Sequence, residues 1–463
     1  MKGIFRFAIA AGVLASLTAC NFQISGNLGG GSSASLNAGT NVSQTAAIPA
    51  GLKLLAVDNR LGNVRIVGTE TGSNTWTWKL TVRAASDTVV QQIVAGATCK
   101  AELDGDRLSL VVHLPEVTEP HSIQSDFEIT VPRAAGVRAR NHFGGMEISS
   151  LSGNVEADDE NGRVEIREIG GSVRARTSFD SLSVNNTGPA TLRNQNGEVS
   201  ATDITGALDA RTSFASVSAQ NVRGAALLGD QNGRLTAIAI HGALDAETSF
   251  DSLTARDIGG PATLRNQNGR IEATAIKGAL DARTSFDSVT GRDIAGPAHV
   301  RNQNGNIQLE KIAGDADAET SFASLSVEAV DGDAALANQN GSVTARTVKG
   351  LVRASTSFAP MEVTGAGSKF ICHNQNGAIR LRVTSPALAR IEARTSFDSL
   401  EVRLPAGLKP AIQAHTTFAE IESDFPVLMK PAGADPFADT APDTARITLE
   451  NQNGKIAVQQ EHL

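Results

Sequence analysis

The sequence contains no tyrosine and only two tryptophans and three cysteines in 463 residues. Each scarcity excludes something. With no tyrosine, and with both tryptophans at Trp76 and Trp78, a long groove paved with aromatic sugar platforms has little to be built from. Three cysteines do not make a disulfide framework, and Cys99 and Cys372 read as two buried thiols. Cationic excess is missing too: the formal net charge is −8, which removes the basic footprint of a nucleic-acid binder. The eight histidines are scattered. His142, His241, His299, His373 and His415 fall near turns without a metal-ligand spacing. A phosphate-cradling glycine loop and a G-x-S-x-G elbow are absent. The expectation is a protein without enzymatic activity, cofactor or metal.

The amino terminus carries a sorting signal. Lys2 and Arg6 precede an apolar stretch from Phe7 to Ala19, too short to span a bilayer comfortably. It ends in Leu17-Thr18-Ala19-Cys20, which resembles a bacterial lipobox. The resemblance implies cleavage before Cys20 and acylation of its sulfur, with two or three chains giving permanent membrane attachment. Asn21, rather than Asp, implies the outer membrane of the cell envelope by analogy with enteric lipoproteins. Residues 1–20 are then a lipoprotein signal peptide. Residues 21–47 are rich in Gly, Ser, Asn and Thr and read as a flexible linker.

Self-similarity dominates the rest. Asn-Gln-Asn-Gly recurs with its glycine at 197, 269, 305, 341, 377 and 454, and Asp-Gln-Asn-Gly ends at Gly233. Thr-Ser-Phe recurs out of phase, with Phe at 179, 214, 250, 286, 322, 358 and 397. Thr416-Thr417-Phe418 is a variant, and Asn141-His142-Phe143 a degenerate first copy. Each half-repeat reads as a short alternating strand, a tight turn and a second alternating strand. Leu208, Ala210 and Thr212 share one face, Asp209 and Arg211 the other. Asn196-Gly197 and its equivalents are expected to supply positive φ angles at the turn.

One such unit cannot bury its apolar face alone, but stacked copies can. The predicted fold is all-β: a parallel β-helix, or β-solenoid, with one coil per half-repeat and right-handed crossovers. A coil of 36 residues with one Asn corner and one Phe corner is the alternative. Since a Phe ring that is not stacked flat is thicker than the ~4.8 Å spacing between coils, alternating corners give each ring room. Thr212, Asn194, Thr284 and Asn302 point inward and are expected to form a polar ladder, bonded to one another and to turn carbonyls.

The ends differ. Asp58 to Ile66 reads as one lone coil. Longer alternating runs at Thr75–Val82, Arg107–Leu114 and Phe127–Pro132 suggest an antiparallel β N-terminal cap over residues 48–140, covering coils that would otherwise stack end to end. Trp76, Trp78 and Leu80 share a face, read as core. The repeat domain spans 141–463 and includes a C-terminal cap, where Phe425 to Asp443 reads as a loop over the last coils.

A first coil, longer strands ending in Val131-Pro132, then repeated coils of the form Asn-Gly-x-Val-x-Ala: this layout resembles the bacterial putative-adhesin family of β-strand-repeat domains, over about residues 50–463. The resemblance implies the fold and an adhesin-like or scaffolding role. It supplies no catalytic or binding residues.

Two columns of charge remain. Asp180, Asp251, Asp287 and Asp398 follow the corner Phe, but Ala215, Ala323 and Ala359 break the column, and the calcium-roll nonapeptide is missing. Arg176, Arg193, Arg211, Arg265, Arg283 and Arg301 stand before the corner and are candidates for binding an anionic polymer. The alternative is pairing with Asp209, Asp245, Asp281 and Asp317 two residues earlier. The partners expected are thus the membrane through the lipid, and a polysaccharide or an envelope or surface protein. A polysaccharide-processing β-helix enzyme and an envelope-stress or assembly partner are the competing readings.

Overall fold

The computed structural model describes residues 21–28, 36, 38–426, 437, 441 and 444–461. Among the described residues the fold is all-β with one helix, and its strands stack in parallel as a β-solenoid. The chain divides into two compact units, residues 1–212 and 213–463.

Both units use the same coil. Strand Leu235–Ile240 lies in one sheet and Leu244–Thr248 in the other. Leu235 pairs with Leu253, which pairs with Ile271, so successive strands of a sheet are one half-repeat apart. The coil is therefore the smaller one, and the 36-residue period is a pair of coils. Alternation places Leu244, Ala246 and Thr248 inward and Asp245 and Glu247 outward. Inward Leu, Ile, Val and Ala are almost wholly buried. Each large aliphatic chain buried in this way is worth about 1.5–3 kcal/mol.

The other sheet departs from strict alternation. Leu235, Ala237 and Ile240 are buried, whereas Ile238 and Ala239 between the last two are not. Ala239 has φ +56°, in the left-handed region, and by this step the strand turns Ile240 inward while staying in register with its neighbours. The same conformation recurs at Glu168, Asn186, Asp203, Asn221, Asp257, Ala275, Asp293, Lys311, Ala329 and Thr347.

In the first unit, Thr75–Ala84 pairs antiparallel with Ala38–Ala47 and His121–Pro132. His121–Pro132 then pairs in parallel with Val64–Thr69, which pairs with Met146–Leu151. The lone coil at residues 54–69 thus lies between the antiparallel cap and the regular coils. Trp76 and Trp78 are buried in the core, as expected, and Trp78 Nε1 donates to Ser125 Oγ at 2.7 Å. Helix Asp87–Gly96, capped by Ser86, packs on the cap strands through Val89, Val90 and Ile93.

The flexible-linker reading of 21–47 is corrected in part. Ala38–Ala47 is a strand, and Asn21–Leu28 pairs with it antiparallel. Its Thr, Asn and Val side chains suit a half-buried strand once Thr75–Ala84 supplies the hydrogen bonds. Residues 1–20, with the lipobox, lie outside the described residues, as do residues 29–35.

In the second unit, the last coil in sequence is not the last in space. Arg446–Asn451 lies between Arg390–Thr395 and Ala411–Thr416. Ile456–Glu461 lies between Leu400–Pro405 and Ile421–Ser423. Most of the segment from Phe425 to Asp443, read as a loop over the last coils, lies outside the described residues.

Candidate functional site

The corner between the two sheets is built by the repeated motifs. Asn266 is buried, its Nδ2 donates to the Asp251 carbonyl of the preceding coil at 2.6 Å, and its Oδ1 accepts from Gly269 N at 3.0 Å. Thr284 Oγ1 in the next coil donates to the Gly269 carbonyl at 2.9 Å. Asn302, Asn338 and Asn374 repeat the first bond, and Thr320, Thr356 and Thr395 the second. The inward Asn–Thr ladder is therefore present, and within the repeat each side chain bonds turn backbone rather than its neighbour in the ladder.

The glycine of Asn-Gln-Asn-Gly has a different purpose from the one expected. Positive φ occurs at Gly62, Gly72, Gly105, Gly144 and Gly407, but not at Gly269 or its equivalents. A Cβ on Gly269 would stand 2.2 Å from the Asp251 carbonyl oxygen, and one on Gly305 2.1 Å from that of Asp287. Glycine is required because the Asn coil sits directly on the backbone of the Phe coil before it.

The Phe rings find their room outside the solenoid. Phe214, Phe250, Phe286, Phe322, Phe358 and Phe397 are 61–62% exposed, and Phe418 79%. In the first unit Phe143 and Phe179 are exposed as well. An apolar residue alone on a surface needs no explanation, but a regular row of exposed rings marks an interaction surface. Between the rings stand the second asparagines of the tetrads. Asn268 Nδ2 donates to Ser249 O at 3.0 Å, Asn304 to Ser285 O at 2.9 Å and Asn376 to Ser357 O at 3.1 Å. Each asparagine is folded back, so the column alternates a projecting ring with a recess. The alternation of corners is the one read from the sequence, in which Asn268 takes the motif position of Phe250; the outward projection of the rings is added by the structure.

The charged columns are assembled by register. Arg176 stacks on Arg193 and Arg193 on Arg211 in the first unit; Arg265 stacks on Arg283 and Arg283 on Arg301 in the second. Most already hold a carboxylate: Arg193 and Arg211 share Asp209, Arg265 meets Asp245 at 2.9 Å, Arg283 meets Asp281 at 3.1 Å, and Arg301 meets Asp317 at 2.8 Å. The Asp317 contact holds the Arg301 guanidinium above its usual range and lowers the Asp317 carboxyl in turn. Arg176 makes no ion pair with a described residue. The corner carboxylates turn back on their own chain, with Asp251 and Asp287 accepting from Ser252 N and Ser288 N. Among the described residues no group of three or more His, Cys, Asp or Glu is placed to hold a metal. Cys372 is buried, and burial pushes its thiol up to about 12.

Two corners carry Asp at the ladder position, Asp159 in the first unit and Asp230 in the second. Asp230 occupies the position of Asn266, its Oδ1 accepts from Gln231 N at 2.6 Å, and its Oδ2 is buried without a partner. Burial raises this carboxyl above its ordinary value despite those N–H contacts.

No known family model and no curated protein matches the chain. Two solved structures are similar. A putative cell adhesion protein from Clostridium sporogenes is 10% identical, with a TM-score of 0.25 over 42% of this chain and 97% of that one. A putative adhesin from Bacteroides fragilis is 11% identical, with a TM-score of 0.27 over 57% of this chain and 96% of that one. Likeness at this level carries no inference about function.

Proposed function

We propose that this chain is a non-enzymatic, lipid-anchored protein of the bacterial cell envelope that acts in adhesion or scaffolding, with the corner column as its binding surface. The observation that carries this reading is the row of exposed phenylalanines at every second coil. Weak contacts repeated at fixed spacing gain avidity without any one of them being strong. The partner class is a polysaccharide or a surface protein. The anchor is Cys20, and outer-membrane attachment follows from the residues around it. Strand Asn21–Leu28 begins immediately after that cysteine, so acyl chains there would hold an edge strand against the bilayer.

Protease shaving and antibody labelling of intact cells, with a periplasmic control, test this reading. Cleavage and labelling from outside are expected. Protection until the outer membrane is broken would rule out adhesion.

A further inference from the structure

The corner column of the second unit has a complementary surface available in its own copy. Its rings project at Phe214, Phe250, Phe286, Phe322, Phe358, Phe397 and Phe418. Its recesses lie at Asn232, Asn268, Asn304, Asn340, Asn376 and Asn453, each bonded back to a serine carbonyl. With neighbouring strands ~4.8 Å apart, rings recur about every 9.6 Å and a recess falls midway between them. A second column shifted by one coil would place its rings in those recesses.

The area is sufficient. A fully exposed Phe presents ~200 Å². At the exposures given, the rings from Phe250 to Phe418 together offer roughly 800 Å², the share that each partner contributes to a standard interface.

Charge selects the direction and the register. Beside the column, Arg234, Arg270 and Lys455 follow the Asn-Gly corners. Asp251, Asp287 and Asp398 follow the Phe corners, and Glu420 lies two residues beyond Phe418. All of these are exposed. The middle of the strip is uncharged at Asn306, Ala323, Ser342 and Ala359. Two parallel copies face to face and in register would set ring against ring, and would carry these charged strips to opposite sides of the contact, where they could not meet. An antiparallel copy with Phe322 over Asn340 of its partner does the opposite. Phe250 then faces Asn453, Phe286 faces Asn376, Phe397 faces Asn268 and Phe418 faces Asn232. In the same register Arg270 meets Asp398, Arg234 meets Glu420 and Asp251 meets Lys455, each contact occurring twice about the two-fold axis. Arg234, Arg270 and Lys455 each have one acidic neighbour in their own chain, Asp251, Glu272 and Glu422, and each cation has further N–H groups for a second carboxylate. The arginines of the sheet face, including Arg265 and Arg394, are set back from the corner on strands and are paired there.

We propose that a second copy of this chain docks antiparallel on the Phe–Asn column, in the register that opposes Arg270 to Asp398. This rests on the adhesion reading in one respect: in a chain that acts in adhesion, such a contact between two copies would be homophilic attachment.

The test is sedimentation equilibrium of the full-length protein in density-matched detergent. A dimer is expected. Phe286→Ser with Phe322→Ser should weaken it about tenfold or more, with the far-ultraviolet dichroism unchanged. Arg270→Asp and Asp398→Arg should each weaken it, and their combination should restore it, an outcome that a fault in folding would not produce. A monomer at all concentrations, a dimer indifferent to the Phe changes, or a double charge variant no tighter than either single one would overturn the proposal. Shaving of intact cells reads only the location, so either result there leaves this one to be decided separately.

Discussion

Asn453 Nδ2 donates to the Ser396 carbonyl at 3.1 Å, across 57 residues of chain. That bond seats the last Asn-Gln-Asn-Gly coil between the Thr-Ser-Phe corner at Phe397 and the Thr-Thr-Phe corner at Phe418. In sequence these two Phe coils follow one another, and in space they do not. Asn451 supports the Asp398 carbonyl from below, and Phe418 N reaches the Gln452 carbonyl from above. The alternation of corners is thus kept at the cost of sequential order. Stacking two Phe coils would leave carbonyls such as that of Asp398 without an asparagine donor.

Gly454 is the point at which this insertion is tightest. A Cβ there would lie 2.0 Å from the Asp398 carbonyl oxygen. Gly454→Ala should destabilise the protein by about 1–3 kcal/mol. The loss should be local: hydrogen exchange should speed up at Ala411–Thr416 and Arg446–Asn451 while Leu253–Ile258 stays protected.

Asp230→Asn should stabilise the protein by about 1 kcal/mol at neutral pH, since an amide can donate where the buried Oδ2 has no partner. The pH dependence follows from the raised carboxyl. A folded-state pKa above the unfolded one favours the protonated form in the fold. The contribution is fully present below the ordinary value near 3.8 and is lost as pH rises through the raised folded value. Chemical denaturation of the parent and the variant across that window should show the gap between them opening with pH.

The left-handed column offers the opposite kind of change. Ala275 has φ +57° and Thr347 φ +55°, where a Cβ is strained and a branched one more so. Glycine's larger loss of chain entropy offsets part of the relief at both sites, so Thr347→Gly should raise stability by about 1 kcal/mol, and Ala275→Gly, which lacks the branched Cβ, by somewhat less. Thermal unfolding reads both, and a fall in midpoint at Thr347 would contradict the strain argument.

Removing charge from the arginine column should matter little to the fold. Arg283 and Arg265 hold exposed carboxylates, and exposed pairs contribute about 0–1 kcal/mol. Changing Arg265, Arg283 and Arg301 to Gln should leave the unfolding midpoint nearly unchanged. If the column holds an anionic polymer, the same variant should lose salt-sensitive retention on an acidic polysaccharide matrix.

The coil, its inward residues and its polar ladder were legible because period-two alternation and the two corner motifs are written into every half-repeat. Trp76, Trp78 and Leu80 were legible for the same reason. The left-handed step in the other sheet was not, although its signal exists: Leu235, Ala237 and Ile240 are spaced two and then three, as are Ile271, Ala273 and Ile276. Glycine in the tetrad suggested a turn angle, whereas its cause is a carbonyl from another coil, which no local window contains. Helix Asp87–Gly96 had Ser86 as a cap and apolar residues at Val89, Val90 and Ile93, but it is a single short element among strands. The exposure of the rings depended on which way the corner turns, and the place of the last coil on pairing over 57 residues.

The claim that the corner column is the binding surface is tested most directly on cells. Cells displaying the parent chain, and cells displaying at equal density a chain with Phe250, Phe286, Phe322 and Phe358 changed to Ser, would be compared for attachment and clumping. The account predicts that the altered chain folds, reaches the surface and fails to hold cells to one another or to a matrix. Undiminished attachment at matched display would contradict it.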